Sequence, residues 1–281
     1  MAAATTALPT PRRSLLRAPL ALLHAVRRRD PVLAGFGLAL FAIALALGLA
    51  WAFDARQLHG ESVWAKPIKF LLSVGLFALT SAWFIGDLPE ARRHAAPIRT
   101  VRWGIIATGG FELGYITLQG ALGQASHFNN STPFHAVMFA LMGIGALALT
   151  ATTLPLAREI ARHGSGLHPA LRLAVVLGLG LTFVLGAGAG IAISAHGGHA
   201  VGAATDAGLP LLGWSTSGGD LRVPHFLGIH AQQILPLAGA GLVAAIPRQA
   251  RLAVWAVSAL YVLLTLAALA QAMQGRPLIG L

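Results

Sequence analysis

Long apolar runs alternate with short polar gaps along almost the whole chain. Seven of them approach or exceed the roughly 20 residues that a helix needs to cross a bilayer. They are Pro31–Phe53, Pro67–Gly86, Val101–Leu122, Pro133–Leu156, Leu171–Ser194, Pro224–Ile246 and Leu252–Met273. In hydrocarbon each segment must satisfy its own backbone hydrogen bonds, so helices are the expected form. Pro31, Pro67, Pro133 and Pro224 fall where a first helical turn would begin and a missing N–H costs nothing. The fifth run is the weakest, because Gly180, Gly186, Gly188 and Gly190 lower helix propensity while permitting close helix contact. The expected fold is therefore all-α, a polytopic membrane protein with seven transmembrane helices. A basic leader over 1–30 precedes a single transmembrane domain over 31–281, and no internal repeat is visible. The leader reads either as an interfacial amphipathic helix or as a disordered segment.

Composition agrees: 56% of the 281 residues are hydrophobic and 10% are charged. The net charge of +11 is unevenly placed. Fifteen of the 20 Lys and Arg residues lie before the first run or in alternate gaps after it. The positive-inside rule then puts the N-terminus in the cytoplasm and the C-terminus outside, in a bacterial-type inner membrane. Topology and attraction to anionic lipid account for the basic balance, so no nucleic-acid partner is expected. The absence of cysteine excludes disulfides, thiolate metal sites, iron–sulfur clusters and covalent c-type haem. A cleaved signal peptide fits poorly, since the first apolar run has the length of a full span.

With that topology the unusual polar residues gather toward the outer face. Lys66, Lys69, Ser73 and Thr80 share one face of the second run, and Thr108, Glu112, Tyr115 and Gln119 form a stripe on the third. Glu112 is the one carboxylate well inside an apolar run. It should face the bundle, either paired or protonated, and Lys69 is expected as its counter-charge or as an anion contact. His135 and His225 each fall in the first turn of a run opened by proline, with His230 deeper and His127 in the loop above. Imidazoles on facing helices can hold a b-type haem or another metal ion, so His135, His225 and His230 are the candidate cofactor ligands. A metal set drawn from His127, His225, His230 and Asp220 is a further possibility. Asp220 can orient a histidine or pair with Arg222. The HFNNSTP string is first a turn and helix cap at Thr132–Pro133.

The strings GQASHFNNSTP and GGDLRVPHF resemble motifs of an uncharacterised group of bacterial multi-spanning membrane proteins. The resemblance covers the second to the sixth run and implies no activity. Three functions remain open. The first is a haem- or metal-binding redox protein with a small molecule or electron partner at the outer face. A small-solute or proton-coupled transporter is the second, in which Glu112 and Lys69 take part in the chemistry. A metal-dependent intramembrane hydrolase is the third. Whether 195–223 is a lid, a re-entrant segment or a plain loop is not decided by the sequence.

Overall fold

In the computed structural model, residues 11–202, 208–209 and 212–280 are described, with side chains from residue 19 onward. The first ten residues of the leader, Arg12, Arg13 and Arg17 as side chains, and 203–207 of the long loop lie outside the described set. The leader is helical as α1, Pro11–Arg29, and Val26 on it is buried against the bundle. It leads into α2, Pro31–Phe53, whose bounds coincide with the first apolar run. Asp30 sets that start. Its Oδ1 accepts from the Leu33 amide at 2.9 Å, and proline follows in the first turn.

The chain then makes a two-residue hairpin, β1 (Gln57–Leu58) with β2 (Glu61–Ser62), closed by His59 and Gly60. Both have positive φ, 54° and 79°, the geometry of the tight turn that matches strand twist. Next come α3 (Ala65–Ile85), the short α4 (Glu90–Arg93) and α5 (Ala96–Ala121). The fourth run is two helices, α6 (Pro133–Ala151) and α7 (Thr153–His163). The fifth contains α8 (Pro169–Leu181), a π-helical stretch at Thr182–Ala187, and α9 (Gly188–His196). A second two-stranded pair, β3 (Ala200–Val201) with β4 (Gly219–Asp220), brackets the long loop. The sixth run is broken into α10 (Arg222–Ile229) and α11 (Ala231–Ala245), bent by 53° at His230. The last is α12 (Ala250–Met273).

Five helical segments among the described residues are long and apolar enough to cross a membrane, and the bent pair would make a sixth. The expected third span does not meet that standard. α5 has the length, 26 residues, but carries Arg99, Arg102 and Glu112. It packs against α2, α3, α6 and α7.

Small residues set the close crossings. A Cβ on Gly37 of α2 would lie 2.9 Å from the Gly75 carbonyl of α3, and one on Gly178 of α8 would lie 2.9 Å from the Ala231 carbonyl. The main core joins Leu33, Leu71, Ala78, Ile98, Ile105, Leu156 and Leu179, all nearly inaccessible. α6 buries only Met142, Gly145 and Leu149, a narrow stripe facing α5.

The two ends of the bundle differ. At one end, arginines meet carboxylates: Arg102 with Asp30 at 2.6 Å, Arg92 with Glu159 at 2.6 Å, and Arg29 with Asp87 at 2.5 Å. Arg29 also lies 4.0 Å over the Trp83 ring, and Arg93 donates to the Gly86 and Leu88 carbonyls beyond α3. Arginines that the sequence presents as topological charge are thus also interhelical staples. The opposite end carries the β1–β2 hairpin.

Candidate functional site at the hairpin end

α3 begins beneath the hairpin, so Lys66 and Lys69 lie in its first turns. Lys69 reaches back to the hairpin and pairs with Glu61 at 3.1 Å. This corrects the expectation that Lys69 is the counter-charge of Glu112. The cation whose field reaches Glu112 is Lys66, one turn closer to the helix start. Lys66 is half-buried and has no ion-pair or hydrogen-bond partner among the described residues. Its charge is also felt by His127 and His199, and it feels that of Arg222.

Glu112 is 4% exposed. Its Oε1 lies against Gly145 of α6 with no hydrogen-bond partner among the described residues, and the Ala146 backbone amide acts on the carboxyl. Every other described carboxylate except the exposed Glu90 has an Arg or Lys within 4 Å. One turn beyond Glu112, the Tyr115 hydroxyl shares a 3.1 Å hydrogen bond with His135 Nδ1. That ties α5 to the first turn of α6, where Thr132 accepts from the His135 amide at 3.2 Å and caps the helix. Gln119, also expected on this stripe, is buried, and its Oε1 has no hydrogen-bond partner among the described residues.

His127 packs between the Phe70 and Phe139 rings and shares a hydrogen bond with Ser126 Oγ at 3.1 Å. Burial, reinforced by the Lys66 charge, pushes its pKa down to about 3, so the ring stays neutral. The HFNNSTP string is indeed a turn and cap: Asn129 Oδ1 accepts from the Ser131 amide and hydroxyl at 3.1 and 2.7 Å.

Asp220 is committed to Arg222, at 2.6 Å, and accepts from the Ser215 amide at 3.0 Å. Burial works against its charge, yet the guanidinium and the backbone amides hold its pKa below the usual carboxylate range. Arg222 also donates to the Gly213 carbonyl. Of the two sequence readings, the loop staple is the contact observed.

The remaining histidines form a second locus around the π-helical stretch. His225 Nδ1 donates to the Gly186 carbonyl at 3.0 Å, which leaves Nε2 bare in the neutral ring. His230 lies at the break itself, with Nδ1 3.3 Å from Gln233 Oε1. Gln233 Nε2 donates to Thr80 Oγ1 at 3.1 Å, and Thr80 donates to the Leu76 carbonyl at 2.8 Å. A directed chain of hydrogen bonds thus joins the break in the sixth run to α3. Gln232 beside it is inaccessible and neither side-chain amide atom has a hydrogen-bond partner among the described residues, although its backbone N–H donates to Thr182 Oγ1 at 2.9 Å.

The expected histidine set is therefore divided. His135 belongs with Tyr115 on α5, whereas His225 and His230 belong with Gly186, Gln233 and Thr80. His225 and His230 sense each other electrostatically, but no two of the three histidines make a ring contact among the described residues. Among the described residues no group of three or more His, Asp or Glu side chains is arranged to hold a metal ion. The Gln233–Thr80 link, the bend at His230 and the role of Lys66 were not read from the sequence. Lys66 was visible there as the second cation on the same helix face. No family model, no curated protein and no solved structure matches this chain.

Proposed function

We propose that this chain is a seven-span inner-membrane protein, with α5 as the seventh span and its N-terminus cytoplasmic. Its hairpin end faces outward and takes a small polar solute whose binding is coupled to protonation of Glu112. One observation carries this reading: among the described residues Glu112 is buried without a salt-bridge partner, while Lys66, half-buried and close enough for its charge to act on Glu112, has no ion-pair partner either. An isolated charge in such a place is costly. A carboxyl that takes up a proton when no solute is bound, and gives it up when a solute lies between it and Lys66, meets that cost in both states. The broken sixth run beside a π-helical stretch supports the same reading, because irregular backbone at membrane depth survives where it is buried or lines a cavity.

The test is solute-dependent proton movement in proteoliposomes. Purified protein should acidify or alkalinise the lumen only when a transported solute is present, and Glu112→Gln should abolish the coupling while leaving the protein folded. Equal proton flux in Glu112→Gln and the parent would end the proposal.

A second reading, a His-ligated haem or metal, is favoured by His225. Its Nδ1–H is fixed by a backbone carbonyl and its Nε2 has no hydrogen-bond partner among the described residues, the usual way a protein presents an imidazole to a metal. Oxidised and dithionite-reduced absorption spectra with metal analysis test it. A colourless, metal-free protein that still transports would reject it.

A further inference from the structure

Away from Glu112, a cleft of 680 Å³ opens at the hairpin end between the last turn of α2, the hairpin, α3 and Gly208, Leu209 and Gly213. That volume lies in the range of small-ligand sites, roughly 300–1,000 Å³. Its charged lining consists of two ion pairs, Asp54 with Arg56 and Glu61 with Lys69. The first is fixed to the scaffold: Arg56 also donates to the Ala121 carbonyl at 2.9 Å, and Asp54 accepts from Trp64 Nε1 at 2.9 Å. The second is not. Among the described residues the Glu61 and Lys69 side chains form an ion pair only with each other, at 3.1 Å, and are 40% and 37% exposed. Such a water-exposed pair contributes little, so a ligand can open it at small cost. The four charges sum to zero. An incoming anion alone would strand Glu61, and a cation alone would strand Lys69. A ligand carrying both charges satisfies both.

The cleft also has an apolar edge. Trp51 and Phe53 line it and are 45% and 91% exposed. Below them on α2, Leu45 and Leu49 are 70% and 62% exposed. Leu45, Leu49 and Phe53 are spaced i, i+4, i+8, so they form one outward stripe that ends at the cleft. A hydrocarbon chain along this stripe would bring its polar head to Glu61 and Lys69.

We infer that the cleft is a binding site for a zwitterionic phospholipid with a primary amine in its headgroup. The phosphate is received by Lys69, with Arg56 at the cleft wall, and the ammonium by Glu61. One acyl chain runs along Leu45, Leu49 and Phe53. A primary ammonium can donate hydrogen bonds to the Glu61 carboxylate, which a quaternary amine cannot.

The experiment uses the delipidated full chain in detergent, titrated by native mass spectrometry. The probes are dioleoyl phosphatidylethanolamine, phosphatidylcholine and phosphatidylglycerol, and soluble glycerophosphoethanolamine. The ethanolamine lipid should bind roughly fivefold more tightly than the glycerol lipid, the difference one partly exposed ion contact supports. The soluble head should bind far more weakly than the lipid. Glu61→Gln with Lys69→Gln, a charge-neutral pair of changes, should erase the preference. Equal binding of the two lipids by the parent protein would overturn the site without recourse to any variant. Unchanged preference in the double variant would do the same. Tight binding of the soluble head would mean a free zwitterion is the ligand and would overturn the lipid assignment.

Discussion

The carboxyl of Glu112 occupies the space that a side chain on Gly145 would need: a Cβ there would lie 2.6 Å from Oε1. α6 thus makes room for the acid by having no side chain at that turn. Gly145→Ala must push the carboxyl away or separate α5 from α6. Gly143, on the same helix, has nothing within 4 Å of a built Cβ and serves as the matched control. Gly143→Ala should be neutral or stabilising by up to about 1 kcal/mol from helix propensity. Gly145→Ala should mimic Glu112→Gln in the coupling assay. Wild-type coupling in Gly145→Ala would show that the carboxyl position is not critical.

At the other end, Asp30 has two tasks at once. It caps α2 through the Leu33 amide and neutralises Arg102, and its side chain is inaccessible. Asp30→Ala removes the cap and leaves a largely buried guanidinium without its carboxylate, a loss of about 3–5 kcal/mol. Asp30→Asn keeps a capping oxygen and should cost less. The order parent, Asn, Ala in resistance to unfolding in mixed SDS micelles checks this. Equal stability of the two variants would mean that the capping bond adds nothing once the ion pair is lost.

The sequence reads the helical architecture well where local signals and apolar length agree. Asp30–Pro31 and Thr132–Pro133 start helices because a capping oxygen and a proline favour a start there whatever the tertiary setting. Where tertiary contact decides, the reading fails. Pro224–Ile246 is a continuous apolar run, yet the chain bends at His230, because hydropathy carries no record of where the backbone ladder is interrupted. The rotation between Lys66 and Lys69 is only about 60° on an ideal helix. Which of the two reaches Glu112 is settled by Glu61, which lies on a hairpin too short to be read as strands and captures Lys69. The arginine staples were hidden for a similar reason. Arg29, Arg92 and Arg102 meet their carboxylates 58, 67 and 72 residues away, beyond the reach of any spacing rule.

His127 predicts a pH dependence. Its pKa is depressed to about 3 in the folded protein, first by burial and then by Lys66, whereas an unfolded histidine titrates near 6.5. Between those values the unfolded chain binds the extra proton. Stability is therefore full above about pH 6.5 and falls as the pH drops toward 3, by at most about 1.4 kcal/mol per unit. His127→Gln removes this titration, so its stability should decline less steeply between pH 6.5 and 4. Unfolding midpoints in detergent across that range decide it. Parallel slopes for the two proteins would place the imidazole in contact with water.

The contact of α10 with the π-helical stretch gives the last prediction. A Cβ on Gly228 would lie 2.5 Å from the Gly186 amide nitrogen and 2.6 Å from the Leu185 carbonyl carbon, which are backbone atoms with no side-chain freedom to retreat. Gly228→Ala must therefore move α10 off the π-helical stretch, and with it the His225 Nδ1 bond to Gly186. Gly180 lies just before that stretch and has open space around a built Cβ, so Gly180→Ala is the control. Gly228→Ala should lose solute binding and a few kcal/mol of stability, the usual result of forcing atoms into a close-packed contact. His225→Gln, which deletes the imidazole but not the helix contact, should lose far less stability. The two effects separate packing from ligation: if both variants are equally unstable, the hydrogen bond to Gly186 holds α10 in place, and if only Gly228→Ala unfolds, the glycine contact does.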